Sequence, residues 1–175
     1  EIMSSDWSSD VCSSDLGLGN IGSEVGKRAA AFGMKIVAYD AYVKSSDIAE
    51  LKPSLQEAVK EADYVTLHLP LTDETEGIIN KKVFEACEKP AVFINAGRGA
   101  CVNADDMAAA LKDGTVRAYA TDVWPSDPPD KDYPILSAPN TLMAPHIGAS
   151  TKENLLRIGD EAAEIIQESI DGGVV

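Results

Sequence analysis

Three polar side chains in the second half of the chain could together perform acid–base chemistry on a small carboxylic acid. Arg98 stands in "NAGRGACV", Asp127 in "TDVWPSDPP" and His146 in "APHIGAST". An arginine can hold a substrate carboxylate with two parallel hydrogen bonds, and a histidine can exchange a proton with a substrate oxygen near neutral pH. A carboxylate behind the histidine would fix its tautomer and stabilise its charged form. This set suits hydride transfer on a 2-oxo or 2-hydroxy acid.

Each of these residues also has a purely structural interpretation. A lone arginine at the end of a strand usually forms a surface ion pair, and Asp122, in the same motif as Asp127, could cap a turn. An isolated histidine such as His146 is more often a hydrogen-bonded core residue than a catalyst. The order of the motifs and their placement at the ends of successive predicted strands favour chemistry.

A glycine motif near the start of the chain predicts a dinucleotide site. "GLGNIG" supplies Gly17, Gly19 and Gly22, and a helix and a strand are predicted after it. Gly17 permits a tight turn, Gly19 lets a pyrophosphate approach the backbone, and Gly22 lets the helix pack on the sheet. The N-terminus of the helix offers free amides to the phosphates. A glycine turn in an α/β domain that binds no nucleotide is the alternative.

An acidic residue follows the glycine motif at the distance expected for ribose binding. Asp40 lies 18 residues after Gly22, at the end of the next predicted strand. Its carboxylate can accept hydrogen bonds from both hydroxyls of the adenosine ribose and would repel a 2′-phosphate. We therefore predict NAD, rather than NADP, as the cofactor.

The elements that would position these groups alternate along the chain. Short apolar runs predict strands over 35–40, 64–69, 91–96, 117–123 and 141–145. Helices are predicted over 22–32, 54–62, 103–112 and 150–170, with capping residues Ser54, Asn103 and Ser150 and a stop at Gly114. Strands that are apolar on both faces and alternate with helices indicate an α/β fold with a doubly wound parallel sheet. The proline-rich segment 124–140 is predicted to be a loop.

The composition limits the partners of the chain. It has 175 residues, 45% of them apolar, a net charge of -14 and a sequence pI of about 4.4. That charge argues against nucleic acid and against an anionic membrane as partners. No apolar run has the length of a membrane span, no secretory signal is seen, and the three cysteines form neither a C-x-x-C pair nor a metal-ligand cluster. We expect a cytoplasmic protein without a metal site.

From Gly17 to Val175 the sequence resembles the NAD-binding domain of the D-isomer-specific 2-hydroxyacid dehydrogenases. The motifs "GLGNIG", "HLPLTDETEGII", "INAGRGACVN", "TDVWPSDPP" and "PHIGAST" occur in the order typical of the family, and "HIGAST" favours its phosphoglycerate branch. The resemblance implies a Rossmann-type fold, NAD as cofactor, a homodimer, and hydride transfer between NAD and a D-2-hydroxy acid. 3-Phosphoglycerate is the favoured substrate, and reduction of glyoxylate or hydroxypyruvate is the alternative.

The same resemblance implies roles for individual residues. Arg98 would bind the substrate, His146 would be the acid/base, and Asp122 would accept a hydrogen bond from the nicotinamide carboxamide. The residues implied along the cofactor are Gly17, Gly19, Asn20, Ile21, Gly22, Asp40, His68, Pro70, Thr75, Ala96, Gly97, Arg98, Asp122, His146 and Gly148. For His68, an imidazole that caps a turn is an equally good interpretation. The family usually has glutamate where Asp127 stands, so the shorter side chain would contact His146 either directly or through a water.

Two other classes of function share this architecture. One is a binding module that senses NAD(H) without catalysis, and the other is a different NAD enzyme, such as a formate dehydrogenase or an adenosylhomocysteine hydrolase. The presence of Arg98, Asp127 and His146 favours catalysis, although a sensing relative can retain them. A formate dehydrogenase would carry an amide at position 127, and the hydrolase would not show the three residues in this order. Turnover by a completed chain separates the first class from an enzyme.

The first 16 residues fit none of these patterns. They repeat Ser-Ser-Asp three times and resemble a translated sequencing-library adapter. We expect a non-native segment over 1–16, an NAD-binding domain over 17–150, and a helix over 151–175 that leads towards an absent substrate domain. Because the substrate cleft lies between two domains in the family, we expect this chain alone to be inactive. Ser13, Ser14 and Asp15 would occupy a strand that is normally apolar, which predicts lower stability and weaker NAD binding than in an intact homologue.

Overall fold

A seven-stranded parallel sheet organises the computed structural model, which describes residues 11–171. The strands are β1 (Cys12–Leu16), β2 (Lys35–Tyr39), β3 (Glu50–Leu51), β4 (Tyr64–Leu67), β5 (Val92–Asn95), β6 (Ala118–Thr121) and β7 (Thr141–Met143). Their order in the sheet is β3-β2-β1-β4-β5-β6-β7, and each neighbouring pair is parallel. The strand order reverses at β1. The predicted fold class, a doubly wound Rossmann-type sheet, is confirmed.

Within residues 11–171, four α-helices connect strands and a fifth follows β7. They are α1 (Asn20–Ala31), α2 (Leu55–Val59), α3 (Lys81–Ala86), α4 (Ala104–Asp113) and α5 (Lys152–Asp171), with short 3-10 turns at Gly99–Cys101 and Pro134–Ser137. Residues of α2, α3 and α4 form one apolar core with the strands, in which Phe84 of α3 meets Phe93 of β5 edge to face with ring centres 5.2 Å apart. Helix α1 belongs to the other face of the sheet and packs on β1 and β2.

Two helices are capped by the side chains that the sequence predicts. Ser54 Oγ accepts a hydrogen bond from the amide of Glu57, and Asn103 Oδ1 accepts one from the amide of Asp106. The predicted cap of α5 is wrong by one residue, because the amide of Asn154 donates to Thr151 Oγ1 and not to Ser150. Two elements are not predicted from the sequence: β3, which has two residues, and α3, which has six and is capped by Asn80.

The central strand β1 is built from the polar residues that the sequence analysis set apart. All five residues of β1 are buried, and its backbone pairs with β2 on one side and β4 on the other. The parallel sheet therefore begins inside the segment 1–16, in the strand expected at Ser13, Ser14 and Asp15. Residues 1–10 and 172–175 lie outside the described part of the chain, so the expectations for them remain predictions.

The side chains of β1 are poorly satisfied, as predicted. Asp15 Oδ1 accepts a hydrogen bond of 2.6 Å from Thr66 Oγ1. Within residues 11–171, Asp15 Oδ2 and Ser14 Oγ have no hydrogen-bond partner although both atoms are buried. Burial raises the pKa of Asp15. The strand thus contributes its backbone to the sheet while its side chains destabilise the core.

Helix α5 extends away from the sheet and keeps its apolar residues exposed. Between 49% and 63% of the surface of each of its large aliphatic residues is accessible; they are Leu155, Leu156, Ile158, Ile165, Ile166 and Ile170. Its charged residues are mostly acidic, with six carboxylates against two basic residues, Lys152 and Arg157. In residues 11–171 no helix is both long enough and apolar enough to cross a membrane.

Substituting Asp15 with asparagine should stabilise the fold at neutral pH. The variant keeps an acceptor for Thr66 and removes the buried charge, so we expect a gain of about 1–3 kcal/mol in the free energy of unfolding at pH 7. Because burial raises the pKa of Asp15 in the folded state, wild-type stability should fall as the pH rises above the unfolded value of about 3.9. The difference between the two chains should therefore grow from acidic to neutral pH in urea titrations.

The exposed Asp132 provides the control for this experiment. Asp132→Asn should leave both the stability and its pH dependence within experimental error of wild type. Equal stability of Asp15→Asn and wild type at pH 7 would show that the charge of Asp15 is not a cost to the fold.

Candidate functional site

All seven strands end at one edge of the sheet, and the residues that the sequence singles out follow six of them. Because the strands are parallel, their carboxyl ends share this edge, where open α/β sheets bind ligands. The groups that follow β1, β2, β4, β5, β6 and β7 are, in that order, Gly17, Asp40, His68, Ala96 to Arg98, Asp122 and His146. The topology therefore brings the predicted cofactor and catalytic residues to one edge.

The glycine turn after β1 is shaped for an anion. Gly17 has a φ of 92°, and a Cβ added at Gly22 would stand 2.1 Å from the carbonyl oxygen of Gly17. Gly19 faces open space, with no atom within 4 Å of an added Cβ. Helix α1 starts directly after Gly19 without a side-chain cap and without an acidic residue in its first turn. The amides of its first turn are thus free to bind a pyrophosphate, which makes the turn fit for a dinucleotide.

Asp40 holds one side of this turn. Its Oδ2 accepts a hydrogen bond of 2.8 Å from the amide of Leu18, and its Oδ1 accepts from the amides of Tyr42 and Val43. Partial burial acts to raise the pKa of Asp40, but the three amide hydrogen bonds outweigh it and the net pKa is lowered. The carboxylate is therefore ionised and stands directly beside the glycine turn.

His68 lies against the same turn with no hydrogen bond to its ring. Its Cδ2 would be 3.3 Å from a Cβ at Gly22, and within the described range neither ring nitrogen has a partner although both are buried. Burial lowers the pKa of His68, so the ring is neutral. The capping interpretation has no hydrogen bond to support it. Two buried and unpaired ring nitrogens beside the glycine turn instead fit a contact with a bound dinucleotide or its water.

Pro70 and Thr75 form a turn next to His68. Thr75 Oγ1 donates to the carbonyl oxygen of Pro70 at 2.6 Å and accepts from the amide of Thr72 at 2.8 Å. The hydroxyl of Thr75 is thus used to shape the turn, and Pro70 is left exposed. A cofactor contact of Thr75 would have to share that hydroxyl.

Arg98 is held by a buried residue that the sequence analysis did not name. Asn95, the last residue of β5 and 1% exposed, accepts a hydrogen bond from the amide of Gly97 and donates one to the carbonyl oxygen of Arg98, each 3.0 Å long. The guanidinium of Arg98 is exposed and donates to the carbonyl oxygen of Gly97 at 2.8 Å. The only signal for Asn95 in the sequence is a polar residue at the end of an apolar strand.

His146 and Asp127 form a direct pair. His146 Nδ1 lies 2.6 Å from Asp127 Oδ2, and the two side chains are 49% and 51% exposed. Aspartate therefore reaches the imidazole without an intervening water, despite being one methylene shorter than the glutamate usual in the family. An ionised carboxylate can only accept, so we assign a proton to Nδ1. In the neutral ring this assignment leaves Nε2 free to accept a proton from a substrate.

Asp122 binds the loop that carries His146. Its Oδ1 accepts from the amide of Ile147 at 3.0 Å, and its Oδ2 accepts from the amide of Gly148 at 2.7 Å. A Cβ added at Gly148 would come within 2.7 Å of Asp122 Oδ2. Both carboxylate oxygens are therefore occupied by backbone, and the hydrogen bond implied for the nicotinamide carboxamide would share one of them.

An open cavity of about 610 Å³ adjoins the histidine. Its lining is mainly apolar and consists of Trp124, Asp127, Pro128, Pro129, Leu136, Met143, Ala144, Pro145 and His146. The indole of Trp124 donates to the carbonyl oxygen of Ala144 at 3.0 Å and so fixes one wall. In residues 11–171, including the lining of this cavity, no cluster of three histidine, cysteine or acidic side chains could hold a metal ion.

Comparison with known proteins places this geometry in a family. Residues 15–148 match the model of the D-isomer specific 2-hydroxyacid dehydrogenase, NAD binding domain. The chain is 42% identical over 161 residues to the D-3-phosphoglycerate dehydrogenase of Methanocaldococcus jannaschii, a match that covers 90% of this chain and 30% of that protein. It is 39% identical over 153 residues to the hydroxypyruvate reductase of Thermotoga maritima, covering 86% and 50%.

Solved structures agree with the sequence relatives. The D-lactate dehydrogenase of Aquifex aeolicus, complexed with NAD and lactic acid, superposes with a TM-score of 0.85 at 29% identity, over 95% of this chain and 55% of that one. The chain thus spans between about a third and about half the length of these relatives. It belongs to the D-isomer-specific 2-hydroxyacid dehydrogenases, as their NAD-binding domain, and NAD is the cofactor of that domain.

Proposed function

We propose that the chain is the cofactor-binding part of an enzyme that transfers a hydride between NAD and C2 of a D-2-hydroxy acid. The observation that supports this most is the 2.6 Å contact between His146 Nδ1 and Asp127 Oδ2, at the sheet edge that also presents Arg98. A module that only senses NAD(H) needs the glycine turn but has no use for an oriented acid/base pair. The geometry therefore favours catalysis over sensing.

The cofactor would lie along the carboxyl edge of the sheet. Its pyrophosphate would meet the first amides of α1, at Asn20, Ile21 and Gly22, and its adenosine ribose would meet Asp40. The further contacts that we propose run towards the nicotinamide and comprise Gly17, Gly19, His68, Pro70, Thr75, Ala96, Gly97, Arg98, Asp122, His146 and Gly148. Bound NAD supplies the hydride acceptor for oxidation and, once reduced, the donor for the reverse reaction.

The protein side chains would bind the acid and move its hydroxyl proton. Arg98 would hold the substrate carboxylate with two hydrogen bonds. As the hydride leaves C2, the hydroxyl proton would pass to Nε2 of His146, because Nδ1 is committed to Asp127. Asp127 would then stabilise the imidazolium. In the reverse direction His146 would return this proton to the carbonyl oxygen of the 2-oxo acid.

3-Phosphoglycerate is the substrate that we favour, and a glyoxylate or hydroxypyruvate reductase is the alternative. The phosphoglycerate dehydrogenase of M. jannaschii supports the first and the reductase of T. maritima supports the second. No cation lines the cavity beside His146 in residues 11–171. A substrate phosphate would therefore need positive charge from outside this cavity, and comparison of kcat/KM for the candidate acids in a complete enzyme separates the two.

We propose that the complete enzyme is a cytoplasmic homodimer. Its substrate is a small 2-hydroxy or 2-oxo acid. The net charge of -14 argues against nucleic acid and anionic membranes. The exposed aliphatic residues of α5 offer a surface that another domain or a second copy could cover.

The NAD preference can be measured with the purified chain. In titrations monitored by nicotinamide fluorescence, we expect saturable binding of NADH. Binding of NADPH should be weaker, because the ionised Asp40 repels a 2′-phosphate. Asp40→Asn should reduce the ratio of NADH to NADPH affinity by about tenfold, and the exposed Asp47→Asn should leave it unchanged. A folded chain that prefers NADPH would contradict the assignment of Asp40.

The role of the glycine turn in NADH binding can be tested by adding one methyl group at Gly22. Gly22→Ala should weaken NADH binding by at least about tenfold, because its Cβ would displace the Gly17 carbonyl from the phosphate turn. Gly159→Ala, in α5 with open space around it, is the matched control and should bind as wild type does. Unchanged affinity of Gly22→Ala, with an unchanged circular dichroism spectrum, would place the phosphates elsewhere.

The acid/base pair is tested in a full-length enzyme that joins this chain to a substrate domain. Asp127→Asn should lower kcat by about 10²–10⁴-fold and alter the pH profile, whereas Asp127→Glu should retain activity. The exposed Asp130→Asn is the control. An unaltered rate and pH profile for Asp127→Asn would remove the proposed role of Asp127. Binding of NADH without any turnover by the parent enzyme would support the sensing module instead.

A further inference from the structure

We infer that Asp122 is a positioning residue for His146, in addition to any contact that it makes with the nicotinamide. Its carboxylate holds the backbone of the loop that presents the imidazole and thereby directs Nδ1 towards Asp127. The importance of this clamp for catalysis rests on the proposed function. The clamp itself is a property of the chain without cofactor and can be tested there.

The backbone of His146 requires such support. Its φ is 55°, in the left-handed region that residues with a Cβ seldom occupy. A residue persists in this region only where its surroundings hold it. In solution, a free loop of the sequence Pro-His-Ile-Gly would sample other conformations and turn the imidazole away from Asp127.

Hydrogen bonds hold the loop both before and after the histidine. Before it, the amide of Ala144 donates to the carbonyl oxygen of Thr121, and the carbonyl oxygen of Ala144 accepts from the indole of Trp124. After it, the amides of Ile147 and Gly148 donate to the two oxygens of Asp122. The second set starts at the residue next to His146, so it acts most directly on the backbone dihedrals of the histidine.

Asp122 is well placed to act as a rigid support. It follows the last residue of β6, and its own amide donates to the carbonyl oxygen of Asn95 at 3.3 Å. The carboxylate is charged while both of its partners are neutral amides, and such charge-assisted hydrogen bonds are the stronger kind. The lack of a side chain at Gly148 is part of the clamp, because a Cβ there would be 2.7 Å from Asp122 Oδ2.

The ring of His146 reports on this clamp in nuclear magnetic resonance spectra. The chain contains only two histidines, so only two rings give signals, and those that change in Asp127→Asn belong to His146. At a pH where both rings are neutral, wild type should carry the His146 proton on Nδ1, as the pair with Asp127 requires. In Asp122→Asn and in Gly148→Ala, we expect loss of this Nδ1-protonated form and a shift of the proton to Nε2.

Two variants and the signals of the His68 ring serve as references. Asp127→Asn, which removes the direct partner, defines the ring signals of an unpaired His146. Asp130→Asn, an exposed carboxylate of the same loop, should leave the His146 ring signals as in wild type. The His68 ring lies at the glycine turn and should be unchanged in each variant, whereas a general loosening of the fold would alter the signals of both histidines.

The outcomes separate the clamp from the proposed function. If both Asp122→Asn and Gly148→Ala fold and leave the tautomer of His146 as in wild type, Asp122 does not position the histidine. If Asp122→Asn does not fold, the result for Gly148→Ala decides alone. A chain that fails to bind NADH yet shows the expected ring changes would contradict the proposed function and retain the clamp. A chain that binds NADH but whose variants lack the ring changes would retain the proposed function and contradict the clamp.

Discussion

The backbone ladders on the two sides of β1 determine where the functional groups stand. At the end of this strand, the amide of Gly17 donates to the carbonyl oxygen of Tyr39, and the amide of His68 donates to that of Leu16. The ends of β2 and β4 are thereby tied to the glycine turn. A parallel ladder uses backbone groups alone, so it tolerates Ser-Ser-Asp in the central strand. The polar side chains cost stability but do not displace the turn.

Less exposed polar residues hold the backbone of the more exposed ones. Arg98 and His146 are accessible, and neither is fixed by packing of its own side chain. Their backbones are held instead by Asn95, the last residue of β5, and by Asp122, the first residue after β6, through hydrogen bonds to backbone groups of the two loops. The reactive side chains therefore remain free to contact a ligand, while the backbone positions from which they extend are fixed.

Much of this arrangement follows from the sequence because it depends on local signals. Alternating apolar runs specify the sheet, Asn103 specifies the start of α4, and the spacing of Gly22 and Asp40 specifies two neighbouring strand ends. The roles of Asn95 and Asp122 could not be predicted, because their partners depend on the exact course of loops; Asp122 contacts amides 25 and 26 residues away. The reach of Asp127 to His146 likewise depends on the path of the loop between β6 and β7.

The long helix α5 adds a mechanical consequence. It has 20 residues and is therefore about 30 Å long. Its start is joined to the histidine loop, because Asn154 Nδ2 donates to the carbonyl oxygen of Ala149 and the amide of Ser150 donates to that of Ile147. Because the start of the helix is attached to this loop, a rotation of the helix by about 10° about that end moves its far end by about 5 Å. Conversely, a load on the far end exerts a torque on the segment that presents the imidazole.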